Sequence, residues 1–265
     1  MIISLMLLAL QAAAPQPAEK KPWRDFEFKV GGYLAAVDTT IDVVGENGVG
    51  ADFDLEDLLG LDTSVFSVRI EASVAMAQRH RLHFNFFDLS RTAEKTLGRD
   101  VEFDGSVYPI GTDVSSRMSL QMFDLTYGYS FVQDSRVDMA VTFGIHGMRT
   151  ALKLDASSAG IEEEERFFLP IPLPGLRMDI AITPSVWLRQ RIELLWIGTE
   201  TFSGLMTDFA IGVEWAAFDH LAIGLGFNSV HMKLKMENND FPAVTFRGDF
   251  DFQFSGLQFY VNVFF

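Results

Sequence analysis

Long stretches of this chain alternate with a period of two. From Val137 to Arg149, Val137, Met139, Val141, Phe143 and Ile145 share one face while Asp138, Ala140, Thr142, Gly144 and His146 share the other. The pattern recurs in Asp208 to Phe218, where Phe209, Ile211, Val213 and Trp215 oppose Asp208, Ala210, Gly212 and Glu214. It recurs again in Leu221 to Phe227, with Ala222, Gly224 and Gly226 opposite Leu221, Ile223, Leu225 and Phe227. A period of two is the signature of a β-strand with two unlike faces. Here the second face is made of small and polar residues, which is what the interior of a narrow closed barrel can hold. A soluble sandwich would turn its large apolar face inward. With no helical layer to cover that face, the reading is an all-β fold, an antiparallel transmembrane β-barrel whose apolar residues meet lipid.

Composition narrows the setting. The 265 residues include no Cys, 25 Phe, and 36 acidic against 21 basic side chains, for a net charge of −15. These numbers exclude a disulfide-stapled domain, a cysteine-ligated metal protein and a basic nucleic-acid binder. A hydrophobic content of 48% excludes a disordered acidic chain. Residues 1–18 carry no charge, and the apolar run Ile2 to Leu10 is followed by Gln11-Ala12-Ala13-Ala14-Pro15. This reads as a secretory signal peptide over residues 1–14, cleaved between Ala12 and Ala14. Residues 15–24 then form a periplasmic N-terminal segment and 25–265 the barrel. Past residue 18 no window of 18 uncharged apolar residues occurs, so no spanning helix is predicted.

Polar breaks divide the barrel. Short ones fall at Gln78-Arg79-His80-Arg81, Gln133-Asp134-Ser135-Arg136, Arg189-Gln190-Arg191 and Asp219-His220. Long ones fall at Gly45 to Leu61, Gly98 to Asp113 and Ala156 to Gly175, with lesser ones near Ser203-Gly204 and Glu237 to Phe241. Alternating short and long connections are the mark of barrels with tight periplasmic turns and longer external loops. The breaks predict ten strands: 25–44, 62–78, 82–97, 113–132, 136–155, 174–188, 191–202, 205–218, 220–236 and 242–265. Eight or twelve are the alternatives if 191–206 is miscounted.

The last strand places Leu257, Phe259, Val261, Val263 and the terminal Phe265 on one face. This resembles the insertion signal of bacterial outer-membrane barrels. Gly31-Gly32-Tyr33, then Asp52-Phe53-Asp54-Leu55-Glu56 with Leu59-Gly60-Leu61-Asp62, and Arg79-His80-Arg81-Leu82 at the first tight turn extend the likeness. Together they resemble a group of small proteobacterial outer-membrane barrels of unassigned function. The resemblance implies a Gram-negative outer-membrane location. It also implies contact with outer-membrane lipid and lipopolysaccharide, and handling by the barrel-assembly machinery. It implies no reaction, cargo or cofactor.

Inward parity predicts a lumenal charged network. It comprises Arg69 and Glu71 on the second strand, Asp124 on the fourth, Asp138 and His146 on the fifth, and Arg177 and Asp179 on the sixth. Glu193 on the seventh and Asp208 and Glu214 on the eighth complete it. Charges inside a barrel must be paired or wetted, so the network either plugs the lumen or lines a path for a small or lipophilic solute. The plug is favoured, because interiors of this size are largely filled by side chains.

Glu162, Glu163, Glu164 and Glu165, beside the proline run Leu169 to Pro174, are expected in the longest external loop, where the prolines should be extended and stiff. A divalent-cation bridge to lipopolysaccharide is the functional reading and a solvated acidic loop the preferred one, since four adjacent carboxylates lack calcium-loop geometry. Asp52, Asp54, Glu56 and Asp57 are read the same way. Trp187, Trp196, Trp215, Tyr127 and Tyr129 are assigned to interfacial girdles.

No catalytic residue is assigned. Omptin proteases need an Asp–His couple near the external rim, but the parity of His231 points it to lipid, and Asn228-Ser229-Val230-His231 has the ingredients of a lipid A deacylase in the wrong order. None of the five histidines sits in a spaced metal cluster. The sequence thus reads as a non-catalytic outer-membrane barrel of structural or envelope-maintenance role. A narrow channel or binding barrel is the alternative, and a hydrolase the third.

Overall fold

A computed structural model describes residues 23–44, 50–103, 106–157, 160–199, 202–236 and 248–265. In chain order the elements begin with β1 (Phe26–Val44), β2 (Gly50–Asp54), α1 (Leu55–Leu59), β3 (Ser64–Ala77), β4 (His80–Thr96), β5 (Val101–Phe103) and β6 (Ser106–Tyr108). They continue with β7 (Asp113–Gln133), β8 (Val137–Ala156), β9 (Ile161–Thr183), β10 (Val186–Gly198), β11 (Phe202–Phe218), β12 (Leu221–Met236) and β13 (Gly248–Phe264). β1, β3, β4 and β7 to β13 follow one another in one antiparallel sheet, to which β2 adds along the upper part of β1, and β13 pairs back onto β1 from Glu27↔Phe264 to Val43↔Gly248, so ten strands close a barrel; β5 and β6 pair with each other. Below Gly175↔Glu193, where the β9–β10 ladder stops, closure leaves no sheet edge, which is what lets a sheet sit in lipid.

The short-turn end is periplasmic in barrels of this type. Asp134 makes its turn by accepting the Arg136 and Val137 amides on its own Oδ1 at 2.7 and 2.9 Å. Among the described residues the four register shifts, at Ala75/Ala77, Ser130/Val132, Val186/Trp187 and Ala216/Phe218, lie beside these turns. There a bulge lets the strand bend. At the opposite end β2 lies on the upper part of β1. The single turn of α1 is started by Asp54, whose side chain accepts the Asp57 amide, and is ended by Gly60 at φ 75°. A left-handed residue at that position favours glycine.

The sequence misplaced one region. Residues 161–175 are not an external loop but the outer part of β9, and Arg189-Gln190-Arg191 is not a turn but the middle of β10. The tight turn is Pro184-Ser185. Ser203-Gly204, read as a break, belongs to β11. The proline run misled because prolines usually end a strand. Pro170, Pro172 and Pro174 share one parity, however, and an antiparallel strand sends alternate amides to opposite neighbours. Leu169, Ile171 and Leu173 can bond β8, while the prolines turn towards β10. The ladder between β9 and β10 has already stopped there, at Gly175↔Glu193. An edge without a partner needs no donor.

One inversion organises the whole barrel. Near the turns, large apolar residues face outward and polar ones inward. Phe259, Leu257, Phe227, Leu225, Ile145, Phe143, Leu125 and Phe66 form an exposed belt, while Asp124, His146, Glu193, Asp208, Asn228 and Arg69 are buried inside. One step further along each strand the faces exchange. Inside come Met122, Met148, Leu173, Met206, Val230 and Phe254, all buried; outside come Gln121, Arg149, Thr207, Ser229 and Ser255. The lower tier is built for lipid and the upper tier for water with an apolar core of its own. An exposed apolar belt around a closed barrel is stable against lipid rather than water. No described helix is long and apolar enough to cross a membrane, so the crossing is made by strands.

Candidate functional site in the lumen

The buried charges form two rings below the apolar tier. At the short-turn mouth Glu27 of β1 and Glu214 of β11 converge on Arg189 of β10, whose Nη2 lies 2.6 Å from Glu27 Oε1 and 3.2 Å from Glu214 Oε1. Arg24, from the segment before β1, reaches Glu27 at 3.0 Å and also bonds Glu214. Its guanidinium lies over the rings of Trp187 and Phe264, 4.4 and 3.3 Å from their centroids. Arg24, in the segment read as periplasmic, therefore corks the short-turn mouth. Trp187 lies inside, where it backs this cork, and not in a girdle; Trp196, Trp215, Tyr127 and Tyr129 are exposed on the outer wall. Asn262 and the Tyr260 hydroxyl donate to Glu214 Oε2 at 3.0 and 3.3 Å. Beside the mouth, Arg177 joins Asp138 at 2.9 Å and Asp179 at 2.7 Å.

The upper ring begins with Arg69, whose Nε sits 3.1 Å from Glu71 and 2.7 Å from Asn85 Oδ1, and whose Nη1 donates to Asn228 at 3.0 Å. Lys29 and Gln258 also reach Glu71, at 3.4 and 3.1 Å. Asn228 donates to Asp208 at 2.7 Å, and Arg191 pairs with Asp208 at 3.0 Å. His146 lies between Asp124 and Glu193, with Nδ1 3.0 Å from the first and Nε2 3.1 Å from the second. Between the rings is a cavity of about 120 Å³, lined by Lys29, Arg69, Glu71, Asp124, Arg191 and Tyr260 among others. That is room for several waters.

Every residue of the sequence-derived lumenal network thus lies inside, and the residues fall into two groups rather than one. Arg24, Glu27, Lys29, Arg81 and Arg189 were missed. Glu27, Lys29 and Arg81 share the inward parity of their strands, so the alternation already carried that signal. Arg189 was hidden by its assignment to a turn. Eight lumenal carboxylates (Glu27, Glu71, Asp124, Asp138, Asp179, Glu193, Asp208, Glu214) face seven Lys or Arg side chains and His146. The lumen is close to neutral, so nearly all of the net −15 lies elsewhere.

The acidic loops are reassigned. Glu162 to Glu165 lie on β9, where successive side chains point to opposite faces, so they form no single cluster. Glu162 pairs with Lys153 of β8, Glu163 accepts from Ser106 at 2.8 Å, and Arg166 holds Glu164 at 2.8 Å. That hydrogen bond from Arg166 keeps the Glu164 carboxyl below the ordinary value. Glu56, read as solvated, is paired with Arg91 and accepts the Thr39 amide at 3.0 Å. His231 does face outward, but it stands above the apolar belt, where its Nε2 meets Asp251 at 2.8 Å. The C-terminal residues Leu257, Phe259, Val261, Val263 and Phe265 all face outward, and the Phe265 backbone closes onto Asp25 and Phe26. The proposed signal peptide and residues 15–22, 45–49 and 237–247 lie outside the described residues.

A closed ten-strand barrel with a lipid-facing belt and an ion-paired lumen is an integral membrane β-barrel of the bacterial outer-membrane type. Among solved structures it is similar to the outer membrane protease OmpT of Escherichia coli, with a TM-score of 0.55 at 10% identity over 94% of this chain and 99% of that one. The toluene transporter TbuX of Ralstonia pickettii overlays at a TM-score of 0.39 and 9% identity, covering 92% of this chain and 90% of that one. Neisserial surface protein A overlays at 0.37 and 11% identity, covering 90% and 97%. No protein-family model matches the sequence, and no curated protein matches it significantly.

Proposed function

We propose that this chain is a structural or envelope-maintenance barrel of the bacterial outer membrane, closed to solutes and without catalytic chemistry. The observation that carries the reading is the aromatic plug over the upper ring. Tyr33 of β1, Phe87 of β4 and Phe254 of β13 meet across the lumen with centroids 5.4 to 6.2 Å apart, and each is no more than 1% exposed. Rings from strands on both sides of the closure point fill the space a permeant solute would need. The His231–Asp251 pair is a surface ion pair under this reading, since it stands on the outer wall beside Lys233.

Planar-bilayer recording tests the closure. The wild-type protein should give no steady conductance, and Phe87→Ala with Phe254→Ala should produce openings. A steady ohmic step from the wild type that changes on Glu71→Ala would overturn the proposal in favour of a narrow channel. Peptide hydrolysis abolished by His231→Ala would overturn its non-catalytic part.

A further inference from the structure

We propose that His146, Glu193 and Asp208 form a buried site for a first-row divalent cation, with zinc the best match, that clamps β8, β10 and β11 together. One ligand atom from each lies within 4.8 Å of the others, and all three residues are buried. The sequence hid this group because its members come from three separate strands.

Three observations point to a ligand. The first is unmet bonding capacity. Both ring nitrogens of His146 and both carboxylate oxygens of Glu193 lack a hydrogen-bond partner, and both residues are 0% exposed. Their separations of 3.0 and 3.1 Å from neighbouring groups are close enough for attraction but out of hydrogen-bonding direction. Buried groups left this way are costly unless something else satisfies them. The second is charge. Asp124, Glu193 and Asp208 surround His146 with three carboxylates, and Arg191, 3.0 Å from Asp208 and 3.6 Å from Glu193, balances one of them. A divalent cation would balance the other two around a neutral imidazole.

The third is the support around the donors. Asp124 lies 3.0 Å from His146 Nδ1 and Glu193 3.1 Å from Nε2, so a small turn of the ring on metal binding would let Nδ1–H donate to Asp124, the arrangement in which a carboxylate orients a metal-bound histidine. Asp124 is itself held by Asn85, and Asp208 by Asn228 and Arg191. Gly175 provides the passage, because a Cβ there would sit 2.5 Å from Glu193 Cγ. Glu193 must cross β9 at this residue to reach His146 on β8. One nitrogen and two carboxylate oxygens, with a water, make a four-coordinate set that suits zinc. The crossing lies where the β9–β10 ladder ends, so the ion would link β10 to β8 across β9 at the level where the backbone bonds between β9 and β10 stop.

The test uses the full-length protein refolded into detergent with and without zinc, then passed over a chelating resin. Metal analysis should find one zinc per chain retained in the first sample. Cobalt substituted for zinc should give visible d–d absorption of a four-coordinate ion. Zinc should raise the temperature of the heat-induced gel shift. His146→Ala and Asp208→Asn should each weaken retention at least tenfold, and Gly175→Ala should do so by displacing Glu193. Absence of stoichiometric metal from the refolded wild type would overturn the site in favour of a protonated His146 bridging two carboxylates. Equal retention by His146→Ala would place the ion elsewhere. If the variants fail to refold, the cobalt spectrum of the wild type decides alone. Conductance has no part in these readouts, so the site and the closed-barrel reading fail separately.

Discussion

Removing one ring from the upper tier tests whether that tier is a packed core. Phe254 is 0% exposed, with its centroid 6.2 Å from Tyr33, 5.4 Å from Phe87 and 5.7 Å from Phe252, at interplanar angles of 81°, 69° and 55°. Phe254→Ala should remove the burial of a whole ring and leave a void that the closed wall cannot collapse, a cost of about 3–5 kcal/mol. At about 1.4 kcal/mol per factor of ten, the folding equilibrium shifts by roughly two to three and a half orders of magnitude. Phe259 of the same strand is the internal control. It is 58% exposed on the wall, and lipid can flow into the space left by Phe259→Ala. That variant should lose no more than the transfer contribution, about 1.5–3 kcal/mol for a fully buried ring. Reversible urea unfolding in lipid vesicles, followed by gel mobility and tryptophan emission, supplies both numbers. A double-mutant cycle with Phe87→Ala should return a coupling of about 0.5–1.5 kcal/mol for the edge contact. A Phe254→Ala cost equal to or below that of Phe259→Ala, with no coupling to Phe87, would refute the claim that the upper lumen is a core.

Two further outcomes follow from the mouth of the barrel. A Cβ at Gly224 would lie 2.1 Å from Tyr260 Cζ, so Gly224→Ala should displace the ring that donates to Glu214. The cost is about 1–3 kcal/mol in the same unfolding assay, and Tyr260→Ala should abolish the difference between glycine and alanine at 224. Glu214→Ala should leave Arg24 and Arg189 sharing Glu27, at a cost of about 3–5 kcal/mol. A loss under 1 kcal/mol would mean that water reaches the mouth freely.

The barrel was legible in the sequence because its information is carried by parity, which survives errors in strand ends. Asp208 to Phe218 and Leu221 to Phe227 alternate so regularly that face and pairing follow directly. The lumenal charges came with that parity. Reading failed where a local preference and a long-range one disagreed: Pro170, Pro172 and Pro174 have the composition of a loop, yet β8 holds the whole segment in register. It failed again for the interior, where the small and polar inner face of the lower strands was extended to the whole barrel. Met122, Met148 and Met206 occupy inward positions just beyond Asp124, His146 and Asp208, and a window averaged along the strand blurs the switch. The cluster of His146, Glu193 and Asp208 depends on closure and on the absence of a side chain at Gly175, neither of which leaves a spacing signal.

Alternation alone says which side of the wall a residue faces but not how high it stands, since sliding a strand by two residues preserves every face. The exchange of polar and apolar faces between the tiers supplies the missing coordinate. A two-residue slide of β7 towards the turns would bring Gln121 into the belt beside lipid and Met122 into the ring of Asp124. A slide the other way would lift Phe123 to the level of Gln121, in water, and push Asp124 among the methionines. Both faces penalise the same error in the same direction, so each strand carries its own depth gauge. The barrel can therefore find its level in the bilayer from the sequence of its wall.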